Sequence, residues 1–165
     1  MKTLLVMRHA KSDWGVAYAD DHERPLAPRG IKAARRMGRF LADAGAAPEL
    51  VVSSTAIRAL TTAELAAEAG NWGCPIVTTP DFYASDPERV LEVIAGTKPE
   101  VECVLVAGHE PTWSGLVSLL VGHARVGMPT GAIACLDLPV GGWAAIGPSA
   151  CELRWLVTPR MLKKK

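Results

Sequence analysis

Residues 101–111 read VECVLVAGHEP, an apolar run through Ala107 closed by Gly108 and followed at once by His109. An unbroken Val/Leu run, rather than strict alternation, marks a strand buried on both faces, as in a parallel sheet covered by helices. The expected strand is Val101–Ala107. The same signature recurs at Thr3–Met7 (TLLVM) and Leu50–Ser53 (LVVS), more weakly at Ile76–Thr78, and later at Ala132–Leu138 and Leu153–Val157. Helical patterns lie between these runs. Pro28 to Ala44 spaces Ile31, Ala34, Met37, Phe40 and Leu41 as one apolar face, and Gly45 follows as a stop. Thr55 to Ala69 is rich in Ala, Leu and Glu, with Gly70 behind it. Asp86-Pro87-Glu88 is a helix start: Asp86 caps, Pro87 suits the first helical position and Glu88 suits the dipole. Val90, Leu91 and Ile94 give that helix its apolar face, and Thr112 to Val121 is a further helix. Strands alternating with helices predict an α/β fold, with a central, mostly parallel sheet between two helical layers. The Gly- and Pro-rich residues 125–150 are placed only coarsely.

The chain has 165 residues, one domain's worth, and the whole of 1–165 is expected to form a single domain. Composition is 49% hydrophobic and 21% charged, which argues against disorder. Eighteen Lys and Arg against 17 Asp and Glu leave a net charge of +1, and so no basic field for nucleic acid. No apolar stretch approaches the roughly 20 residues of a membrane span, and Thr3–Met7 is too short for an export signal. No membrane partner is expected. Cys74, Cys103, Cys135 and Cys151 form no C-x-x-C pair and are read as reduced thiols of a cytoplasmic protein. Lys163-Lys164-Lys165 reads as a frayed tail.

In such sheets ligands bind beyond the carboxyl ends of the strands. Three expected strand ends carry chemistry: Arg8-His9, Ser53-Ser54-Thr55 and Gly108-His109-Glu110-Pro111. An isolated Arg-His pair is most often a surface cation beside a structural histidine. Convergence changes that reading, because Arg58 falls in the first turn after the second strand and His109 ends a strong strand. A phosphoryl group carries about −1.5 to −2 charges near neutral pH. Arginine meets it with planar, bidentate donation, and first-turn amides after Ser54 and Thr55 add donors. Two histidines exceed what binding requires: one can attack as a nucleophile, and the other can hold transition-state charge. A metal site is the competing reading. It lacks a third ligand, and Arg8 and Arg58 would repel a dication. His22 and His123 have no such company and read as exposed or merely hydrogen-bonded.

These residues resemble a known family. LLVMRHAKS near the N-terminus resembles the Arg-His-Gly signature of the histidine phosphatase superfamily. SSTAIRALTTAE resembles its second motif and VLVAGHEP its third, and LAPRGIKAA at 26–34 resembles a stretch found between the first two. Order, spacing and length are similar to the short SixA-type phosphohistidine phosphatases, from about residue 2 to 158. The resemblance implies a three-layer αβα sandwich of the phosphoglycerate mutase-like kind. It implies His9 as the nucleophile, with Arg8, Arg58 and His109 holding the phosphate oxygens. It implies a phosphohistidine intermediate released by water, with no metal and no cofactor. Ala10 stands in place of the usual Gly, Thr61 of a frequent Gln, and Ala27 and Ala33 of a frequent Thr and Gln.

The larger departure concerns the general acid. Many relatives carry a Glu where this chain reads TTPDFYASDP. Asp81 is the tentative acid here, Asp86 being committed to its cap. An imidazole leaving group has a conjugate-acid pKa of about 6.5 and needs less help than an alkoxide, so a weak acid suits P–N cleavage. The first expectation is therefore a phosphatase acting on phosphohistidine of a protein, such as a histidine-containing phosphotransfer domain. The short chain leaves few residues for a cap over the site. The region 11–29, with Lys11, Asp13, Trp14, Asp20, Asp21 and Glu23, would form the rim. Trp14 and Trp113 would either contact the partner or pack in the core. The alternative is a small phosphorylated substrate (a sugar, nucleotide or cofactor phosphate) at the same site, which would make Asp81 or another carboxylate essential. A mutase would need more chain. A phosphate-recognition module without catalysis would not need a nucleophilic His9. For any phosphatase version His9 must be neutral, so activity should fall on acidification.

Overall fold

The computed structural model describes residues 1–139 and 141–163. Six strands form one sheet: β1 (Lys2–Arg8), β2 (Leu50–Ser54), β3 (Ile76–Thr79), β4 (Cys103–Gly108), β5 (Ile133–Leu138) and β6 (Glu152–Val157). Their order is β3-β2-β4-β1-β5-β6. β3, β2, β4 and β1 run parallel, whereas β5 pairs antiparallel to β1 and β6 antiparallel to β5. Among the described residues four α-helices complete the fold: α1 (Pro28–Asp43), α2 (Ile57–Gly70), α3 (Pro87–Ala95) and α4 (Thr112–Leu120).

The unbroken apolar runs have the expected cause. In β1, Leu4 and Val6 join one buried cluster, whereas Leu5 and Met7 join another. β4 divides likewise, with Val104 and Val106 on one face and Leu105 and Ala107 on the other. α3 and α4 cover the first face with Val90, Leu91, Ile94, Trp113, Leu116 and Leu120. α1 and α2 cover the second with Met37, Leu41, Ala63 and Ala66. The result is the three-layer α/β arrangement, with β5 and β6 as its antiparallel edge.

Local chemistry sets the boundaries. Asp86 Oδ1 accepts from the Arg89 amide at 2.9 Å, capping α3 as expected. The second helix starts later than its composition indicates. Ser54 Oγ takes the Ala56 amide at 3.2 Å, so Thr55 and Ala56 form the turn and α2 begins at Ile57. β4 starts at Cys103 rather than Val101, because the Val101 amide closes a turn onto the Lys98 carbonyl and Glu49 accepts from the Glu102 amide. Trp113 is fully buried in the first cluster, its ring against Gly108 and Phe82, and is therefore core. Lys164 and Lys165 of the expected tail lie outside the described residues; Lys163 is exposed.

Candidate active site

The carboxyl ends of β1, β2 and β4 lie side by side, because β4 pairs with both neighbours: Arg8 is in register with Gly108, and Ser53 with Ala107. This register brings Arg8 and His9, Ser54, and His109 to one edge, and the turn after β2 delivers Arg58. The rings of His9 and His109 stand 5.3 Å apart, and both residues are buried.

His9 Nδ1 lies 2.7 Å from the Ala10 carbonyl oxygen. A carbonyl only accepts, so the proton of the neutral ring sits on Nδ1 and the free electron pair on Nε2. Burial pushes the His9 pKa down from 6.5 to about 4; the Ala10 bond opposes this, and Arg58, Arg8 and Arg24 add to it. Burial likewise pushes His109 to about 3, helped by Arg58 and by His9. Both rings are neutral at pH 7. His109 Nε2 is 2.8 Å from Ser54 Oγ. Among the described residues, the buried atoms Arg8 Nε, Arg58 Nε and His109 Nδ1 have no hydrogen-bond partner in the protein. Buried polar atoms of this kind are costly unless something answers them. Two guanidiniums and an imidazole together suit a tetrahedral oxyanion.

The guanidiniums are held from outside. Arg8 Nη1 donates to the Met128 carbonyl at 2.9 Å. Arg58 donates to the Asp21 carbonyl at 2.7 Å and to the Asp21 carboxylate at 3.0 Å. The same carboxylate accepts from Tyr83 Oη at 2.8 Å and from Arg24 Nη2 at 3.1 Å. Partial burial acts to raise the Asp21 pKa, but these hydrogen bonds and the Arg58 charge outweigh it and hold the group at about 2. Tyr83 stands 5.6 Å from His109, ring to ring, and His22 packs edge-on against Tyr83 at 4.9 Å while bonding Thr55 Oγ1 at 2.8 Å. Arg24 is buried, bonds Ser12 Oγ, and lies 3.6 Å over the Trp14 ring, which is 64% exposed.

The four residues Arg8, His9, Arg58 and His109 are thus gathered at one point. Asp81 is not among them. Its carboxylate pairs with Arg89 Nη2 at 3.1 Å, half-exposed, and no hydrogen bond joins it to those four among the described residues. Arg24 and Tyr83 carry no sequence motif, and Asp21 was expected only as part of the rim. Their partners lie 3, 37 and 62 residues from Asp21, so spacing could not reveal them. His22 is hydrogen-bonded, as expected, yet it forms part of the site wall. His123 is exposed, also as expected.

Comparison with known proteins gives this geometry a setting. The family model described as histidine phosphatase superfamily (branch 1) matches residues 4–86. An uncharacterized protein of Mycobacterium tuberculosis is 37% identical over 168 residues, covering 93% of this chain and all of that one. The structure of the protein histidine phosphatase SixA complexed with tungstate superposes with a TM-score of 0.85 at 26% identity, covering 98% of this chain and 99% of that one. A protein from Nakamurella multipartitia assigned as phosphohistidine phosphatase SixA gives a TM-score of 0.84 at 27% identity, over 96% of both chains. The matched segment holds β1 from Leu4 onward, β2 and α2, and with them Arg8, His9 and Arg58. With the fold, the SixA-type likeness and the gathered residues in agreement, the chain belongs to the histidine phosphatase superfamily.

Proposed function

We propose that this protein is a phosphatase that hydrolyses phosphohistidine on a protein, through a phosphohistidine intermediate on His9. The observation that carries the reading is the Nδ1 bond of His9 to the Ala10 carbonyl, which leaves Nε2 unprotonated beside two arginines. Nε2 attacks the phosphorus; the P–N bond to the substrate imidazole breaks, and its electron pair leaves with that ring, which takes a proton from solvent. Arg8 and Arg58 bind the equatorial oxygens. Ser54 Oγ accepts from the Ala56 amide, and its hydroxyl proton is available to His109 Nε2. With Ser54 as the donor in that pair, the His109 proton is on Nδ1, where it donates to a phosphoryl oxygen as charge builds. Water then attacks the phosphorus, the electron pair returns to His9 Nε2, and inorganic phosphate leaves.

The carboxylates support this substrate class. Asp21 is held ionised at about 2 by its donors, and Asp81 is tied to Arg89. Neither is placed to protonate an alkoxide, whereas imidazole leaves as a weak base. The reading needs no metal, because the arginines supply the positive charge. Four free cysteines suit the cytoplasm, where we place the activity.

The test is turnover, with EDTA present, of a histidine-phosphorylated protein beside a panel of phosphomonoesters, for wild type and His9→Ala. Loss of phosphohistidine that depends on His9 and outpaces the esters is the expected result. Faster turnover of an ester would move the substrate to a small phosphorylated molecule.

A further inference from the structure

We infer that the groove beside the active site, lined by Lys11, Arg29, Lys32, Arg36, Arg160 and Lys163, is a docking surface for an acidic segment of the phosphorylated protein. This rests on the phosphohistidine-protein reading and names the feature by which that substrate is recognised.

The groove has a volume of about 910 Å³ and, among the described residues, carries no acidic side chain on its wall. Among the described residues, none of these six cations has a carboxylate within 4.0 Å, whereas Lys2, Arg24, Arg35, Arg58, Arg89 and Arg154 all do. The sequence is nearly neutral at +1, so this clustering is a product of folding. Arg29, Lys32 and Arg36 are spaced to share one stripe of α1. Arg160 and Lys163 come from the segment after β6, and Lys11 from the segment after β1.

Position ties the groove to the chemistry. β5 runs antiparallel to β1 and pairs Ile133 with Met7, so Pro129 and Thr130 in the groove wall lie at the same sheet end as His9. β6 ends at Val157, opposite Ile133, which brings Thr158, Pro159 and Arg160 to that end too. The Gly131 amide donates to the His9 carbonyl at 2.9 Å. A protein that presents a phosphoryl group to His9 approaches the sheet end at which this groove lies. Charge complementarity selects an acidic surface there and speeds its encounter. The groove offers no aromatic face for base stacking, which disfavours single-stranded nucleic acid.

The experiment uses two phosphohistidine peptides, one flanked by Glu and one by Gln, with phosphoramidate as the small substrate. Wild type is compared with the double variant Lys32→Glu/Arg36→Glu. The expected result is a preference of about tenfold in kcat/KM for the Glu-flanked peptide, carried by KM and lost in the variant and at high salt. Phosphoramidate kinetics stay unchanged, which shows that the variant is folded with its site intact. Binding of the unphosphorylated Glu-flanked peptide, read by fluorescence anisotropy, should weaken in parallel. Equal binding of the Glu- and Gln-flanked peptides, a preference that survives charge reversal, or tighter binding of a single-stranded oligonucleotide would overturn the proposal. Groove-dependent binding without dephosphorylation would uphold the docking surface and overturn the phosphohistidine reading alone.

Discussion

In the proposed reaction His9 owes its reactivity to one bond and to burial. The Ala10 carbonyl holds the Nδ1 proton, and a dry, cationic surround holds the pKa at about 4. The acid limb of kcat/KM on phosphoramidate should therefore fall near pH 4; a limb near 6.5 would show the imidazole to be titrating as in water. Asp21 is the residue on which the arginines depend. Asp21→Asn keeps the size but weakens the anchors of Arg58 and Arg24, so kcat/KM should drop about ten- to a hundredfold through misplacement of the phosphate cradle. Asp81→Asn should leave phosphohistidine turnover within about twofold, because only a solvent-screened surface ion pair is lost. A large loss in that variant would restore Asp81 as the acid. Of these residues, Arg8, His9, Arg58 and His109 were legible in the sequence because Arg8 closes a strand, His9 and His109 directly follow one, and Arg58 lies in the first turn of the helix after another. The Asp21–Tyr83 pair was not, since nothing local distinguishes Tyr83 from any loop aromatic.

Elements follow rules that the sequence states with uneven clarity. The α3 start is complete in Asp86-Pro87-Glu88, and Asp86→Ala should cost about 1 kcal/mol by urea denaturation while leaving turnover unchanged. The α2 start misleads, because Ser54 spends its hydroxyl on the Ala56 amide and on His109 instead of capping a helix at Thr55. The packing of α1 on α2 depends on Gly38, where an added Cβ would fall 2.0 Å from the Ala66 carbonyl oxygen. Gly38→Ala gains up to about 1 kcal/mol of helix propensity. Overpacking against backbone costs about 1–3 kcal/mol, and here the obstacle cannot rotate away. The net expectation is a lowered urea midpoint; an unchanged or raised midpoint would mean the helices separate easily.

At the scale of the whole molecule, the two buried histidines should make stability sensitive to mild acid. Unfolded, they take up protons as pH falls through about 6.5; folded, they resist until about 4 and about 3. The unfolded chain then binds more protons, so stability should decline steadily as pH drops from about 6.5 towards 4. Urea midpoints at pH 7 and pH 5 measure this, and equal midpoints would contradict it. The sequence by itself determined the α/β class and the three-layer arrangement, and it singled out the four residues that the fold gathers, since apolar run length and strand termini are local properties. Only the tertiary structure decided that β5 and β6 return antiparallel and that Arg24 and Tyr83 meet at Asp21. It also placed Trp113 in the core and gathered six cations, none with a carboxylate partner among the described residues, along one groove of a nearly neutral chain. Those outcomes depend on which distant segments the sheet brings together, and on how far each group is taken out of water.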